Sequence, residues 1–560
     1  MRSATEEAMT CAATKIVKLG VAVGVWCAAV GIASAQTNWR SAGLDLKNTR
    51  YQTSEKKISP STVQNLKLKW AFTTAGDVTA NPALDGGDVY FPDSAGFLYK
   101  VRRTTGALVW KRRIADYTGY TGDSVRATPV VAGRTLIFGN QSGKLNPAHP
   151  ARMLAVDKDT GNLLWSTQVD ETLFSFVTTS AVVVNDTAIV GIASNEELIA
   201  ALVPPDFWQW TFRGSVVALD VLTGAIKWKT FTVPTGYFGG AVWGSTPAVD
   251  LLRNQVYVTT GNNYMVPFEV VTCLRAGNTP ASCMAGAPTN YFNSIIALDL
   301  TTGAIKWGSR AMDYDGWNVA CGLSVPGLFT IPGDFFGAPT PGAYGNCPDP
   351  IAPGPGRQVG PDWDFAQGPL IFAGPGSLGG QGLVGAGQKS GMFWAFRATD
   401  GALVWKTQVA PGGVTGGLQW GSATDGQRLF VAAANAGPAL AGAGAGAEIW
   451  TLKDGSTTRA GGWASLDAKT GSVLWTTKDP LGSRAEAAVS GANGVIFGCN
   501  LDYIRGTMYA LDAKTGKPLW SFDSGGPCNA GPSIADGMVL WGTGTFAGSG
   551  PKKVFAFSMD

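Results

Sequence analysis

A twelve-residue unit recurs along this 560-residue chain and narrows the architectures open to it. It is clearest as YALDAKTGKPLW (residues 509–520). It returns as LAVDKDTGNLLW (154–165), VALDVLTGAIKW (217–228), IALDLTTGAIKW (296–307) and ASLDAKTGSVLW (464–475). Two looser copies, LYKVRRTTGALVW (98–110) and WAFRATDGALVW (394–405), bring the number to seven. Each copy reads as a strand, a tight turn and a second strand ended by Trp. The Asp side chain can bond to backbone N–H groups two or three residues on, and the Gly supplies the positive φ that the turn requires. The Trp is a large flat surface at a fixed distance from that turn.

The turn glycines (Gly106, Gly161, Gly224, Gly303, Gly401, Gly471 and Gly516) lie 45 to 98 residues apart. Repeats of this length belong to solenoids, propellers or arrays. A four-stranded antiparallel blade needs roughly 40 to 50 residues, and longer spacings put the excess into loops. An eighth unit is split. NLKLKW ends in Trp70 without a preceding turn, and KVFAFSMD (553–560) has a strand but no Trp after it. The halves are complementary, so the expectation is an all-β, eight-bladed β-propeller whose last blade is closed by the two terminal strands. A β-sandwich with fortuitous turns would not repeat the unit seven times.

The 75 glycines and the low charged fraction of 15% suit tight turns between buried strands. A net charge of +3 without a basic cluster gives no reason to expect nucleic acid. Residues 1–35 read as a secretory signal: Lys15 and Lys18, an apolar run over 19–32, then Ala33-Ser34-Ala35 as a cleavage site before Gln36. The apolar run is short for a membrane span, so no span is expected after cleavage, and residues 36–560 are expected to form one domain. Export suits the six remaining cysteines. Cys273–Cys283 and Cys321–Cys347 each lie within one insertion, which leaves Cys499–Cys528. No C-x-x-C-H occurs, so no covalent c-type haem is expected on this chain. Residues 38–70 read as a leader packed on the propeller rim, with a short helix within 58–66. The insertions at 272–290, 321–362 and 436–448 read as loops over one face.

Polar residues on a propeller axis bind something or are costly. Four strings stand out. VGIASNEE (190–197) ends a strand in two acids; AVWGS (241–245) sets Trp243 between small residues; TTGNNYM (259–265) puts Asn262 at a strand end; AMDYDGWNVACG (311–322) holds Asp313 and Asp315 two apart, on one side of an extended segment. Carboxylates plus an amide make an all-oxygen set for a hard cation. GQKSG (387–391) adds Lys389 in a small-residue turn. An acidic metal site, a flat aromatic face and a cation together suit an anionic planar cofactor. His149, the single histidine, reads as a surface loop residue, which excludes Ser-His-Asp hydrolysis and His-based metal sites.

At these residues the chain resembles the pyrroloquinoline quinone (PQQ)-dependent alcohol dehydrogenases. The repeat is similar to their tryptophan-docking motif, and W-x-x-x-G-x-x-x-x-N-T-R-Y (39–51) is similar to their leader. GDSVRATPVV, GWNVACG, LQWGSATDG and GGPCNAGP look most like the polyvinyl alcohol dehydrogenase branch. The resemblance implies Asp313 as catalytic base. It implies Glu196, Asn262 and Asp313 as metal ligands, with Glu196 preferred to Glu197 for its distance in sequence from Thr178. Trp243 would be the stacking surface for the quinone, Lys389 the cation near its reactive oxygens, and Arg126 and Thr178 the holders of its carboxylates. Asp315 resembles the extra carboxylate of lanthanide-using members, although the surrounding sequence looks more like a calcium-type branch. The adjacent cysteine pair of methanol-oxidising members is replaced by TGDSVR (121–126). The implied function is periplasmic oxidation of an alcohol, secondary and polyvinyl alcohol-like, with PQQ and Ca2+ (alternatively a lanthanide ion) and a separate cytochrome c as acceptor. The rivals are a non-catalytic propeller scaffold of the outer-membrane assembly type and a quinoprotein for sugars or aldehydes.

Overall fold

The computed structural model describes residues 37–141, 149–244, 246–323, 343–348, 360–373, 382–436, 447–545 and 550–560. The expected export signal at 1–35, and most of the loops at 321–362 and 436–448, lie outside the described residues.

Each repeat folds as expected. In the turn before Gly516, the Asp512 carboxylate accepts from Lys514 N (2.9 Å) and Thr515 N (2.8 Å), and Gly516, with φ +74, bonds back to Asp512 O at 2.8 Å. The same arrangement closes the turns at Asp157, Asp220, Asp299 and Asp467. Eight four-stranded antiparallel sheets follow along the chain, two of them widened by one short strand. In the first blade the strands are Ala83–Asp85, Asp88–Pro92, Phe97–Arg102 and Leu108–Arg113, ordered from the axis outward. The innermost strands are buried, and the outermost alternate in exposure around a buried Trp. Neighbouring sheets pack face to face, so one core cluster joins Ile137 and Trp165 of the second blade to Val190 and Val217 of the third.

Tryptophan locks each blade to the next. The Trp70 indole N–H donates to Arg103 O at 2.9 Å, and a Cβ on Gly106 would come within 2.8 Å of its ring. Trp165 and Trp475 repeat the contact with Val221 O (2.9 Å) and Ala513 O (3.1 Å). A hydroxyl two residues after the Trp adds a bond that the motif alone did not suggest: Thr477 Oγ1 donates to Gly516 O at 2.8 Å. The eighth blade is the split one. Lys67–Thr73 pairs antiparallel with Lys553–Ser558, Trp70 opposite Ala556. At Trp520 aromatic rings fill the junction: Trp520 lies 5.1 Å from Phe557, and Phe557 stacks 5.1 Å from Trp541.

The leader departs from expectation. It crosses the axis rather than the rim. Arg40, Leu46, Lys47, Thr49 and Arg50 offer carbonyls to Val131, Val249, Ile371, Thr424 and Gly491, each in or beside the innermost strand of a different blade. Asn48 and Arg50 adopt left-handed φ of +59 and +49, which lets the chain turn repeatedly over the axis. The helix expected within 58–66 is a 3-10 turn at Val63–Asn65. The disulfides pair as expected: Cys273–Cys283, Cys321–Cys347 and Cys499–Cys528. His149 is buried rather than on the surface. Its Nε2 bonds to Asp123 Oδ1 at 2.7 Å and its ring stacks 3.8 Å from Tyr120.

Candidate functional site

One carboxylate collects the predicted residues, and it is Asp364. The segment before the fifth blade carries it to the axis, where Phe365 N bonds to Thr260 O and Ala366 pairs with Gln419. Asn262 N donates to Asp364 Oδ1 at 2.6 Å, and Trp243 Nε1 donates to Oδ2 at 2.9 Å. Lys389 Nζ lies 3.3 Å from the same Oδ2 and 2.9 Å from Asp362 Oδ1. The Lys389 ammonium also stands 5.2 Å over the Trp243 ring. Gly261 is where backbone and carboxylate meet: a Cβ there would lie 2.9 Å from Asp364 Oδ1.

Asp313 is not brought to this cluster. The backbone bends at Asp313, so the alternation expected of an extended D-x-D is lost; Asp313 is exposed while Asp315 is fully buried. Both Asp315 oxygens are taken. They accept from Asp362 N (3.0 Å), Trp363 N (2.8 Å) and Asn293 Nδ2 (2.6 Å). Asp315 thus braces the segment that carries Asp362 and Asp364. Asp362 is buried with a left-handed φ of +59.

The acid pair at 196–197 starts a helical turn, Glu196–Ile199. Successive helix residues point about 100° apart, so the two cannot share a role. Glu196 is buried and accepts from Phe212 N at 3.0 Å and from the backbone and hydroxyl of Thr211. Glu197 faces the cluster electrostatically: burial and the charge of Asp364 push its carboxyl up to about 8, against the pull of Lys389. Of the two acids, Glu196 is the one held by hydrogen bonds to Thr211 and Phe212, and Glu197 the one that the charges of Asp364 and Lys389 reach.

Arg126 and Thr178 do come together. Both line a cavity of about 50 Å³ at the axis, with Trp420. The Arg126 guanidinium lies 4.3 Å over Trp420, whose ring meets Trp243 edge-on at 5.5 Å. Thr178 Oγ1 donates to Trp243 O at 3.1 Å.

The cluster holds more negative charge than Lys389 neutralises. Burial and the Asp364 charge raise Asp315 to about 7 despite its three donors. Burial, with Asp364, Glu197 and Asp315, holds Asp362 well above the usual carboxylate range against Lys389. Burial alone would lower Lys389, but Asp362, Asp364 and Glu197 outweigh it and raise it. Asn262 adds a buried Oδ1 without a hydrogen-bond partner, while its Nδ2 donates to Trp317 O at 2.6 Å. Excess carboxylate beside an unused amide oxygen fits a hard cation. Among the described residues, no three His, Cys, Asp or Glu side chains converge as a metal-binding group. The donor set would therefore be two carboxylates and the amide.

A pocket of about 780 Å³ opens beside the cluster, lined by Trp317, Pro361, Trp363, Ser390, Val414 and Trp450 among others. Trp363 and Ser390 are chain neighbours of Asp364 and Lys389, so the pocket wall adjoins the cluster.

Sequence reasoning missed Asp362, Asp364 and Trp420. The signal was present as PDWDFAQG (361–368), a second D-x-D that the 321–362 loop assignment cut in two.

Comparison with known proteins shows the family and the fold. Residues 39–337 match the family model "Glucose/ethanol/alcohol dehydrogenase, beta-propeller domain", of PQQ type. Residues 459–558 match a model for the outer membrane protein assembly factor BamB. The chain is 26% identical over 537 residues to a polyvinylalcohol dehydrogenase of Sphingopyxis sp. (strain 113P3), covering 90% of this chain and 72% of that protein. It is 26% identical over 571 residues to a polyvinylalcohol dehydrogenase of Pseudomonas sp, covering 94% and 78%. The solved quinohemoprotein alcohol dehydrogenase of Comamonas testosteroni shares the fold, with a TM-score of 0.63, 18% identity, and 93% and 80% of the two chains covered.

Proposed function

Because the chain belongs to the PQQ-type glucose, ethanol and alcohol dehydrogenase β-propeller family, we propose that it oxidises an alcohol to the carbonyl with PQQ as the electron acceptor. The observation that carries this is the convergence of Trp243, Asn262 and Lys389 on Asp364. When bound, the quinone supplies two-electron chemistry and the cation supplies Lewis acidity.

The chain's own residues then divide the work. Asp364 is the base that takes the hydroxyl proton at a carboxylate oxygen, in place of the exposed Asp313. Glu197, Asn262 Oδ1 and Asp364 hold the cation. Trp243 offers a flat face, Lys389 a fixed positive charge, and Arg126 and Thr178 grip carboxylates at the axis end. The cation is taken as Ca2+, and a lanthanide ion is the alternative that would also use Asp315, whose oxygens accept from Asp362 N, Trp363 N and Asn293 Nδ2.

The substrate is a secondary, polyvinyl alcohol-like alcohol. Two relatives named for that activity support a hydroxyl-bearing chain, and a pocket of about 780 Å³ with Trp317, Trp363 and Trp450 in its wall has room for an extended one. Electrons leave to a separate cytochrome c. The setting is the periplasm, supported by the signal-like residues 1–35 and three disulfides. Among the described residues no helix is long and apolar enough to cross a membrane. The scaffold reading draws on residues 459–558, which carry none of the site residues.

The test is dye-linked oxidation by purified protein reconstituted with PQQ and either calcium or lanthanum. It would be offered polyvinyl alcohol, short secondary alcohols, sugars and aldehydes. Turnover with calcium on secondary alcohols supports the proposal. Failure to bind PQQ at all would move the protein to the scaffold class, and preference for sugars or aldehydes would overturn the substrate.

A further inference from the structure

We propose that Arg50, contributed by the leader, is a ligand for an anionic carboxylate of the cofactor, at the axis end of the site beside Arg126. This rests on the quinoprotein reading above.

Arg50 is 1% exposed. Its Nε donates to Val489 O at 2.9 Å and its Nη1 to Ala42 O at 2.8 Å, which fixes the plane of the guanidinium. Its Nη2 has no hydrogen-bond partner. A buried, unpaired guanidinium donor is expensive to leave so. Arg50 and Arg126 line the same cavity of about 50 Å³, together with Asn81, Thr178, Ser180 and Asn529, and no carboxylate lines it. Two guanidinium side chains thus line one polar space, and the Arg50 Nη2 is the donor there without a partner.

Three motifs that the fold alone leaves unexplained converge here. A Cβ on Gly531, of GGPCNAGP, would collide with Arg50 Nη2. A Cβ on Gly421, of LQWGSATDG, would sit 3.3 Å from Arg50 Cδ and Nε. Arg50 itself is the Arg of NTRY and holds its left-handed φ of +49 to reach the axis. Small residues in two distant blades thus clear a space for one arginine, whose unpartnered Nη2 belongs to a side chain lining the same cavity as Arg126 and Thr178. A planar fork of donors suits a carboxylate. The leader would then be part of the cofactor cradle as well as a cap on the axis.

The experiment titrates PQQ into cofactor-free wild type, Arg50→Gln and Arg50→Lys, reading the quench of tryptophan fluorescence, with circular dichroism to check folding. Loss of a charge-assisted hydrogen bond should weaken PQQ binding about 10- to 100-fold in Arg50→Gln, with Arg50→Lys between. A folded Arg50→Gln that binds as tightly as wild type overturns the proposal. If that variant does not fold, a crystal structure of the PQQ-loaded wild type in bromide decides. A quinone carboxylate oxygen within hydrogen-bond distance of Nη2 supports the proposal; bromide or water there, with the carboxylates elsewhere, overturns it. Wild type that fails to bind PQQ overturns the quinoprotein reading and this inference together.

Discussion

Trp243 Nε1 donates to Asp364 Oδ2 at 2.9 Å, which ties the broad aromatic face of the site to its central carboxylate. The bond orients both groups. The indole holds one oxygen, Asn262 N holds the other at 2.6 Å, and the carboxylate can no longer rotate. In the proposed role of base, a carboxylate oriented in this way needs little reorganisation to accept a proton.

Asp364→Asn keeps the volume and removes the negative charge. It should fold normally and lose turnover by roughly 10²-fold or more. Asp313→Ala, at an exposed position, should change stability by no more than about 0.5 kcal/mol and leave turnover intact. Steady-state kcat of the two reconstituted variants checks this, and the reverse order would return the base to Asp313.

Much of this was legible in the sequence, for a physical reason. The blade unit is local: one Asp, one Gly and one Trp within twelve residues fix a turn and a dock, so seven copies reveal the fold. The complementary half-units at Trp70 and 553–560 revealed the closure. Trp243, Asn262 and Lys389 stand out in the sequence from a strand end or a small-residue turn, whereas Arg126 and Thr178 were implied only by the family resemblance. Asp364 was not, because D-x-D occurs at both 313–315 and 362–364, and a bend rather than composition decides which one reaches the axis. The choice between Glu196 and Glu197 was likewise not legible, since only a helical turn separates their directions.

Glu196 and Glu197 should now separate by experiment. Glu196→Gln disturbs a buried, hydrogen-bonded carboxylate and should cost about 1–3 kcal/mol of stability. Glu197→Gln removes charge from the cation site and should weaken calcium binding about tenfold or more, with a smaller effect on melting. Calcium titrations and thermal melts of both variants read the two effects independently.

The blade junctions make a further prediction. Trp70→Ala removes the dock between the split blade and the first blade, and should cost about 3–5 kcal/mol. Gly106→Ala attacks the same contact from the other side. Its φ is +70, and the added Cβ would press on the Trp70 ring at 2.8 Å, so the loss should exceed about 1 kcal/mol. Urea denaturation measures both, and the double variant should lose less than the sum because the two residues share one contact.

His149 makes stability depend on pH. Burial alone would lower its value, but the hydrogen bond and charge of Asp123 outweigh burial and hold it above the ordinary 6.5. The protonated form is therefore favoured in the folded protein. Below about pH 6.5 the imidazolium is present folded and unfolded, and the Asp123 contact contributes fully. As pH rises through the higher folded-state value, the folded protein gives up a proton and that contribution is lost. As pH rises above about 6.5, wild-type Tm should fall more steeply than that of His149→Gln, which keeps a donor for Asp123 without titrating. Parallel Tm curves for the two proteins would show that the Asp123 contact does not stabilise the charged ring.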